Sequence, residues 1–479
     1  MIVVYIVLGL ILVLFLIALV NTFRIKLKDK DDVLPVINKD LTDKYAKEFG
    51  EMIKVKTLSY VKEKKNIKPF LEMQEVMKNL FPNVYKKMEQ KVFEDGSLLF
   101  KLKGESNEKP MVLMAHQDIV PANEKAWSFK PFSGEVTDEE ILGRGTIDTK
   151  STLYSIFKAV DELIEEGITP KHDIYISSSS NEEISGSGAK SSVEYLKENG
   201  VTPYFVLDEG GAIVTGSLPS VKKAVALIGV IEKGYCNIKF TAKGTGGHSS
   251  TPPKDTPIAR LSKFVSDIEN NFPFKTKMIP EVAATFTKTA PSMSFGYRFL
   301  FGNMWLFKPL VTFLLPKTNP FGRALLSTTI AFTMASGSKQ ENVIPSEAYV
   351  IANLRIHPIQ GIDSSFAVLE KIAKKYNLEA TLLEGREASP ISSTKNEAYQ
   401  FLINTIALNY PDILVSPYVM LAATDCRFFS EVTDSAYRFS PIRMDNDDIK
   451  KIHGINESIK KTSLVEAVSF YKSLIEKHQ

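Results

Sequence analysis

The chain opens on an uninterrupted apolar run. Residues 1–20 carry no charge, and none occurs before Arg24. About 20 apolar residues at 1.5 Å rise span the ~30 Å hydrocarbon core of a bilayer. A cleavable signal peptide would need a basic leading segment and small residues before a cut site. The run has neither, so residues 1–23 read as an uncleaved transmembrane anchor. Arg24, Lys26, Lys28 and Lys30 follow directly, and the positive-inside rule favours the cytoplasm for the bulk of the chain. Residues 24–40 are charged, contain Pro35 and read as a linker.

Beyond the linker, helical spacing recurs over 41–52 and 70–80. A strand is expected at 97–102, a turn at 104–110 and a buried, continuously apolar strand at 111–118. A helix pattern over 151–166 stops at Gly167, with Pro170 beyond it. A strand over 172–180 and a helix over 189–199, closed by Gly200, come next, then a strand over 203–211. This alternation predicts an α/β fold with a mostly parallel central sheet flanked by helices.

The pattern changes after residue 225. The runs 226–232 and 235–242 read as antiparallel strands joined by Lys233-Gly234. A helix at 256–270, strands at 328–334 and 348–356, a helix at 364–376 and a strand at 379–384 complete an α+β, ferredoxin-like unit. The expected organisation is a catalytic domain, 41–225 and 388–479, carrying an inserted lid or dimerisation domain, 226–387. Within the insert, 295–315 is rich in Phe and Leu, carries Trp305 and is followed by Pro316 and Pro320. It reads as a local core, as a wall for a greasy substrate, or as a surface touching lipid.

Composition narrows the classes. With 479 residues and 44% hydrophobic content the chain can form two or three cored domains. A net charge of +3, with no basic stripe interleaved with aromatics, excludes a nucleic-acid partner. Two cysteines, Cys236 and Cys426, are too few for a disulfide framework and read as small buried thiols.

The chemistry sits where strands end. His116 and Asp118 are two apart, so on a strand they share a face, and an aspartate can orient the ring of a metal-binding histidine. Asp148 closes the glycine-bearing turn around Gly143 and Gly145. The pair Glu182-Glu183 and then Asp208 lie at the ends of the next two strands. Each has a plain alternative: a satisfied core histidine, an N-cap aspartate or a solvated acidic turn. His453, alone ahead of the terminal helix at 463–477, would by itself be a surface or capping residue.

Together these blocks resemble the dizinc metallopeptidase family that includes aminoacylase, carboxypeptidase G and carboxypeptidase S. The resemblance runs from about residue 40 to the end. Its closest branch looks like carboxypeptidase S and the N-fatty-acyl-amino-acid synthase/hydrolase. The cues are Ala115-His116-Gln117-Asp118, Gly247-His248-Ser249-Ser250, Asn342-Val343-Ile344-Pro345 and Ile452-His453-Gly454.

The resemblance implies two zinc ions, with cobalt or manganese as substitutes. His116 and Asp208 would hold one, Glu183 and His453 the other, and Asp148 would bridge them. Glu182 would be the general base, Asp118 would fix His116, and His248 would stabilise the oxyanion. Arg355 and Asn342 would bind the substrate carboxylate. Thr424, preceded by Ala422-Ala423 where a glycine is common, would line the same pocket. Thr149 stands where many relatives have aspartate, and a cis peptide after Asp148 is expected. His357 reads as strand-end structure, and His172 and His478 as surface residues.

The implied activity is hydrolysis of an amide between an acyl or aminoacyl group and an amino acid with a free carboxylate. The substrate is an N-acyl amino acid or a short peptide, and a homodimer through the insert is expected. Two rivals are a non-catalytic binding protein on the same fold and a structural protein at a lipid surface.

Overall fold

A computed structural model describes residues 1–25, 38–60, 66–217 and 220–479, so most of the expected linker, 24–40, lies outside the described residues. At its centre the strand Ser106–Met114 runs parallel to His172–Ser178 on one side and Phe205–Asp208 on the other. Phe205–Asp208 in turn pairs in parallel with Ala436–Arg438. Met111, Val112, Leu113, Ile174, Ile176 and Val206 are wholly buried. Continuous apolar runs are what a strand covered on both faces requires. Further strands, paired both antiparallel and parallel, complete this ten-stranded mixed sheet.

The helices Lys39–Lys54, Lys150–Glu165 and Lys461–Lys477 cover one face. The first is capped by Asn38, whose side-chain oxygen accepts from the Asp40 and Leu41 amides at 2.9 and 3.3 Å. His172 and His478, expected on the surface, are buried with their rings 5.1 Å apart. The thiols of Cys236 and Cys426 are free and buried.

Two local expectations change. Residues 106–110 extend the strand instead of turning, and the strand stops at Met114. His116 and Asp118 therefore lie in the loop beyond it and share no strand face. Nor do the runs around Lys233-Gly234 form a hairpin. Val225–Glu232 belongs to the central sheet, pairing with Leu414–Met420. Gly234–Lys243 belongs to a separate antiparallel sheet, between Glu347–Ile356 and Glu379–Arg386, with Thr329–Ser336 at its edge.

That second sheet has its own core, with Ile238, Phe240, Phe264, Leu354 and Leu369 packed between its strands and the helices Pro257–Asn270 and Ile362–Lys375. Residues 278–326 do not join it. Met278, Val282, Phe286, Phe301 and Val311 belong to the core of the central sheet, and the Thr285 hydroxyl donates to the Pro417 carbonyl at 2.7 Å.

The apolar run 295–315 forms two helices, Phe295–Phe301 and Met304–Thr318, meeting at 101°. The turn between them grips the N-terminal helix, Ile2–Arg24, which is long and apolar enough to cross a membrane. Asn303 is fully buried there. Its amide donates to the Ala18 carbonyl and the Thr22 hydroxyl, both at 3.1 Å. The Asn21 amide donates back to the Asn303 oxygen at 2.9 Å. Phe15 packs on Phe299 and Phe23 on Phe295, while the rest of the helix exposes Ile, Leu and Val side chains.

Candidate active site

The loops leaving the carboxyl ends of the parallel strands converge, as expected for an open α/β sheet. His116 is buried. Its Nδ1 donates to the Asp118 carbonyl at 2.9 Å, and its Nε2 lies 3.1 Å from Asp148 Oδ1. The Asp118 carboxylate also accepts from the Glu182 and Glu183 amides at 3.1 and 3.2 Å. One aspartate thus fixes both the histidine and the start of the paired-glutamate turn.

Asp148 is set by a scaffold that sequence reasoning did not single out. The buried Glu457 carboxylate accepts from Arg144 Nη1 at 2.7 Å and from the Gly145, Ile147 and Asp148 amides at 3.0, 2.7 and 3.2 Å. Gly145 has φ +88°, and a Cβ there would stand 2.7 Å from Ile119 Cγ2, so only glycine fits this turn. The Asp148–Thr149 peptide is cis, as expected. The half-exposed His453 closes the group: its Nε2 is 3.1 Å from Asp148 Oδ2 and 2.9 Å from Glu183 Oε2.

His116, Asp148, Glu183 and His453 therefore form one cluster, joined from four separate segments. Ligand-type atoms of His116, Asp148 and Glu183 lie within 4.8 Å of one another. Burial disfavours charge on His116, yet Asp118 and Asp148 raise its pKa well above the ordinary imidazole range. Hydrogen bonds to Asp148 and Glu183 push His453 up to about 10. Burial opposes ionisation of Asp148, but the two histidines hold its carboxyl well below the usual range. Burial, with Asp148 nearby, raises Glu183, and burial raises Glu182 strongly. A pocket that draws protons onto both imidazoles is short of positive charge. Glu183 Oε1 is buried with no hydrogen-bond partner among the described residues. Nitrogen and carboxylate oxygen donors with an unmet acceptor suit divalent metal.

Among the described residues no hydrogen bond or ion pair joins Asp208, an expected metal ligand, to this cluster. The two Asp208 oxygens accept from the Glu209 amide at 2.9 Å and the Cys426 amide at 2.7 Å. It is the last residue of its strand, so the next side chain turns the other way. That side chain is Glu209, raised by burial and by the nearby charge of Asp148, with His116 opposing. Thr424, expected beside the substrate carboxylate, is buried and donates to Glu232 Oε1 at 2.9 Å, an oxygen that Arg438 Nε also meets at 2.8 Å. Arg427, not anticipated, places Nη1 3.9 Å from Glu182 Oε1.

The insert residues lie apart. His248 is exposed, and its Nδ1 bonds the Ser250 hydroxyl at 2.8 Å. It sits beside Asn342, whose carbonyl accepts from the Ser249 amide at 3.0 Å. Arg355 is exposed on Glu347–Ile356. Among the described residues no hydrogen bond or ion pair joins these three to the His116–His453 cluster.

The model of peptidase family M20/M25/M40 matches residues 112–477. The N-fatty-acyl-amino acid synthase/hydrolase PM20D1 of Xenopus tropicalis is 34% identical over 452 residues, 91% of this chain and 87% of that protein. The probable carboxypeptidase S-like 2 of Dictyostelium discoideum is 34% identical over 412 residues, 85% of this chain and 79% of that protein. Among solved structures, human carnosine dipeptidase 1 superposes with a TM-score of 0.63 at 15% identity, covering 92% of this chain and 97% of that one. A Bacillus subtilis dinuclear metal binding peptidase superposes at 0.57 with 14% identity, covering 91% and 98%. A family match over most of the chain, containing His116, Asp148, Glu183 and His453, makes this protein a metallohydrolase of peptidase family M20/M25/M40.

Proposed function

We propose that the protein is a dizinc amidohydrolase that splits N-fatty-acyl amino acids into fatty acid and amino acid. The observation that carries this reading is the cluster of His116, Asp148, Glu183 and His453, with Glu182 beside it. The named activity of the Xenopus relative supports the acyl substrate. His116 with Glu209, and His453 with Glu183, would hold the two cations, with Asp148 between them. Bound there, the metals supply Lewis acidity to the attacking water and the amide carbonyl.

This chain's own groups do the rest. Glu182 accepts the proton of the water and returns it to the leaving nitrogen. Asp118 keeps the His116 ring and the Glu182-Glu183 turn in register. His248 donates to the developing oxyanion, and Arg355 with Asn342 receives the substrate carboxylate, for which a guanidinium offers two matched donors. These three residues act from the insert of a second copy. The N-terminal helix anchors the enzyme in a membrane, with the catalytic body on the cytoplasmic side.

A carboxypeptidase acting on short peptides is the second reading, favoured by the Dictyostelium relative. The full-length protein in detergent, loaded with zinc, separates the two on N-palmitoylglycine and glycylphenylalanine. Faster hydrolysis of the acyl substrate, abolished by chelator, is expected. Glu182→Gln should lower kcat by roughly 10²–10⁴ with metal content retained. Turnover of the dipeptide alone sinks the acyl reading.

A further inference from the structure

Residues 278–326 do more than pad the central sheet. They line most of a cavity of about 380 Å³ whose walls are mainly apolar, a size ordinary for small-molecule sites. Phe286 and Phe301 stack at 4.6 Å to form one wall, and Tyr297 stacks on Phe301 at 5.9 Å. The inner end is made by Leu227 and Tyr418 from the central sheet. The outer end is open: Leu310, Leu314 and Phe321 line it and remain exposed.

At the inner end the Tyr418 hydroxyl donates to the Gly210 carbonyl. Gly210 follows Glu209, so the inner end of the cavity adjoins the segment that carries Glu209. On another side, one short helix separates the cavity from the N-terminal helix. Phe295–Phe301 turns Phe295 and Phe299 onto Phe23 and Phe15 of that helix, and Tyr297 and Phe301 into the cavity. The buried Asn303 clasp holds the two units together. An open apolar cavity is costly in water, whereas beside a membrane-spanning helix its mouth meets hydrocarbon.

We infer that this cavity is the binding site for the acyl chain of the substrate, filled from the bilayer through the mouth beside the N-terminal helix. The inference rests on the acyl-amide reading above. The amide lies at the cluster, and the chain runs past Tyr418 between the Phe286–Phe301 wall and the helix Met304–Thr318. The carboxylate end stays on the polar side of the sheet, so one substrate bridges lipid and water.

The experiment uses full-length protein in phosphatidylcholine nanodiscs and N-palmitoylglycine carrying a diazirine at the acyl terminus. After irradiation, the labelled peptides are mapped by mass spectrometry. Labelling is expected within 280–326 or 414–420, and excess unmodified N-palmitoylglycine should suppress it. Labelling that maps elsewhere, or that excess N-palmitoylglycine leaves in place because bulk lipid occupies the cavity, overturns the inference. This readout needs neither metal nor turnover.

In parallel, Val311→Trp and Leu325→Trp fill the cavity from two sides. Each should lower the ratio of kcat/KM for N-palmitoylglycine over N-acetylglycine by at least about tenfold. An unchanged ratio in folded variants overturns the site while leaving the acyl-amide reading intact. A wild-type enzyme that hydrolyses no N-acyl amino acid removes that reading instead, and the labelling result still reports whether the cavity takes the chain.

Discussion

At the scale of single residues, the proposed metal site turns on two neighbouring carboxylates. Asp208 spends both oxygens on backbone amides and ties the end of its strand to Cys426. Glu209 feels the charge of Asp148 and His116. Glu209→Gln should therefore reduce bound zinc from two equivalents to one. Asp208→Asn should keep two equivalents and lower Tm, because it weakens two charge-assisted hydrogen bonds worth about 1.5–3 kcal/mol each. Metal analysis beside a thermal melt distinguishes them, and equal metal loss in both variants would return Asp208 to the cluster. Sequence alone does not separate the two. Adjacent side chains on a strand face opposite ways, but both are carboxylates, so hydrophobic patterning cannot choose between them. His116, Asp148, Glu182-Glu183 and His453 were legible because their order and flanking glycines form a pattern. Glu457 was not, because its role is to accept four hydrogen bonds within a turn that only the fold assembles.

Among elements, the informative place is the junction after Val225–Glu232. Two apolar runs flanking Lys233-Gly234 suggested a hairpin, yet they enter different sheets. The signal was present. Val225–Glu232 is apolar almost throughout, as a strand buried on both faces must be, whereas Gly234–Lys243 alternates, as a strand with one wet face does. Lys233 and His357 then tie this junction to the end of the helix Pro320–Leu326. Lys233 Nζ donates to the Ala324 and Ser327 carbonyls at 3.0 and 2.8 Å, and His357 Nε2 donates to the Leu325 carbonyl at 3.1 Å. The Ile359 amide donates to His357 Nδ1 at 3.3 Å, so the ring is held neutral. Burial, reinforced by Lys233, pushes its pKa from 6.5 down to about 4. Between those values the unfolded chain takes up a proton that the native ring refuses, so stability falls as pH drops from 6.5 towards 4. The full loss is about 3 kcal/mol. His357→Gln, which cannot titrate, should flatten that part of the stability curve by chemical denaturation. Curves of equal slope in the two proteins would show that His357 is not the titrating group.

For the whole molecule, the roles proposed for His248, Asn342 and Arg355 require the insert to meet a cluster. A lid that swings would let His248, Asn342 and Arg355 close over their own site. The insert is not free to swing in that way. Its helical segment is packed into the core of the central sheet, Thr285 is bonded to Pro417, and Lys233 and His357 lock the same segment to the lid strands. Opening that packing would expose Phe286, Phe301 and Val311, at roughly 1.5–3 kcal/mol for each side chain. Meanwhile His248 lies on an exposed ribbon paired with Val343, near an edge strand that exposes Met334. A fixed insert with outward-facing polar groups and an open apolar edge fits a second copy better than a hinge. The expected outcome is complementation. Glu182→Gln and His248→Ala should each be inactive alone. A hybrid of the two, co-expressed with different tags and isolated by both, should recover activity, because one of its two sites then has an intact Glu182 facing an intact His248. An inactive hybrid that nevertheless copurifies would mean that each insert serves its own chain. The packing of 278–326 would then have to yield during every turnover, and hydrogen exchange in that segment should rise when substrate is present.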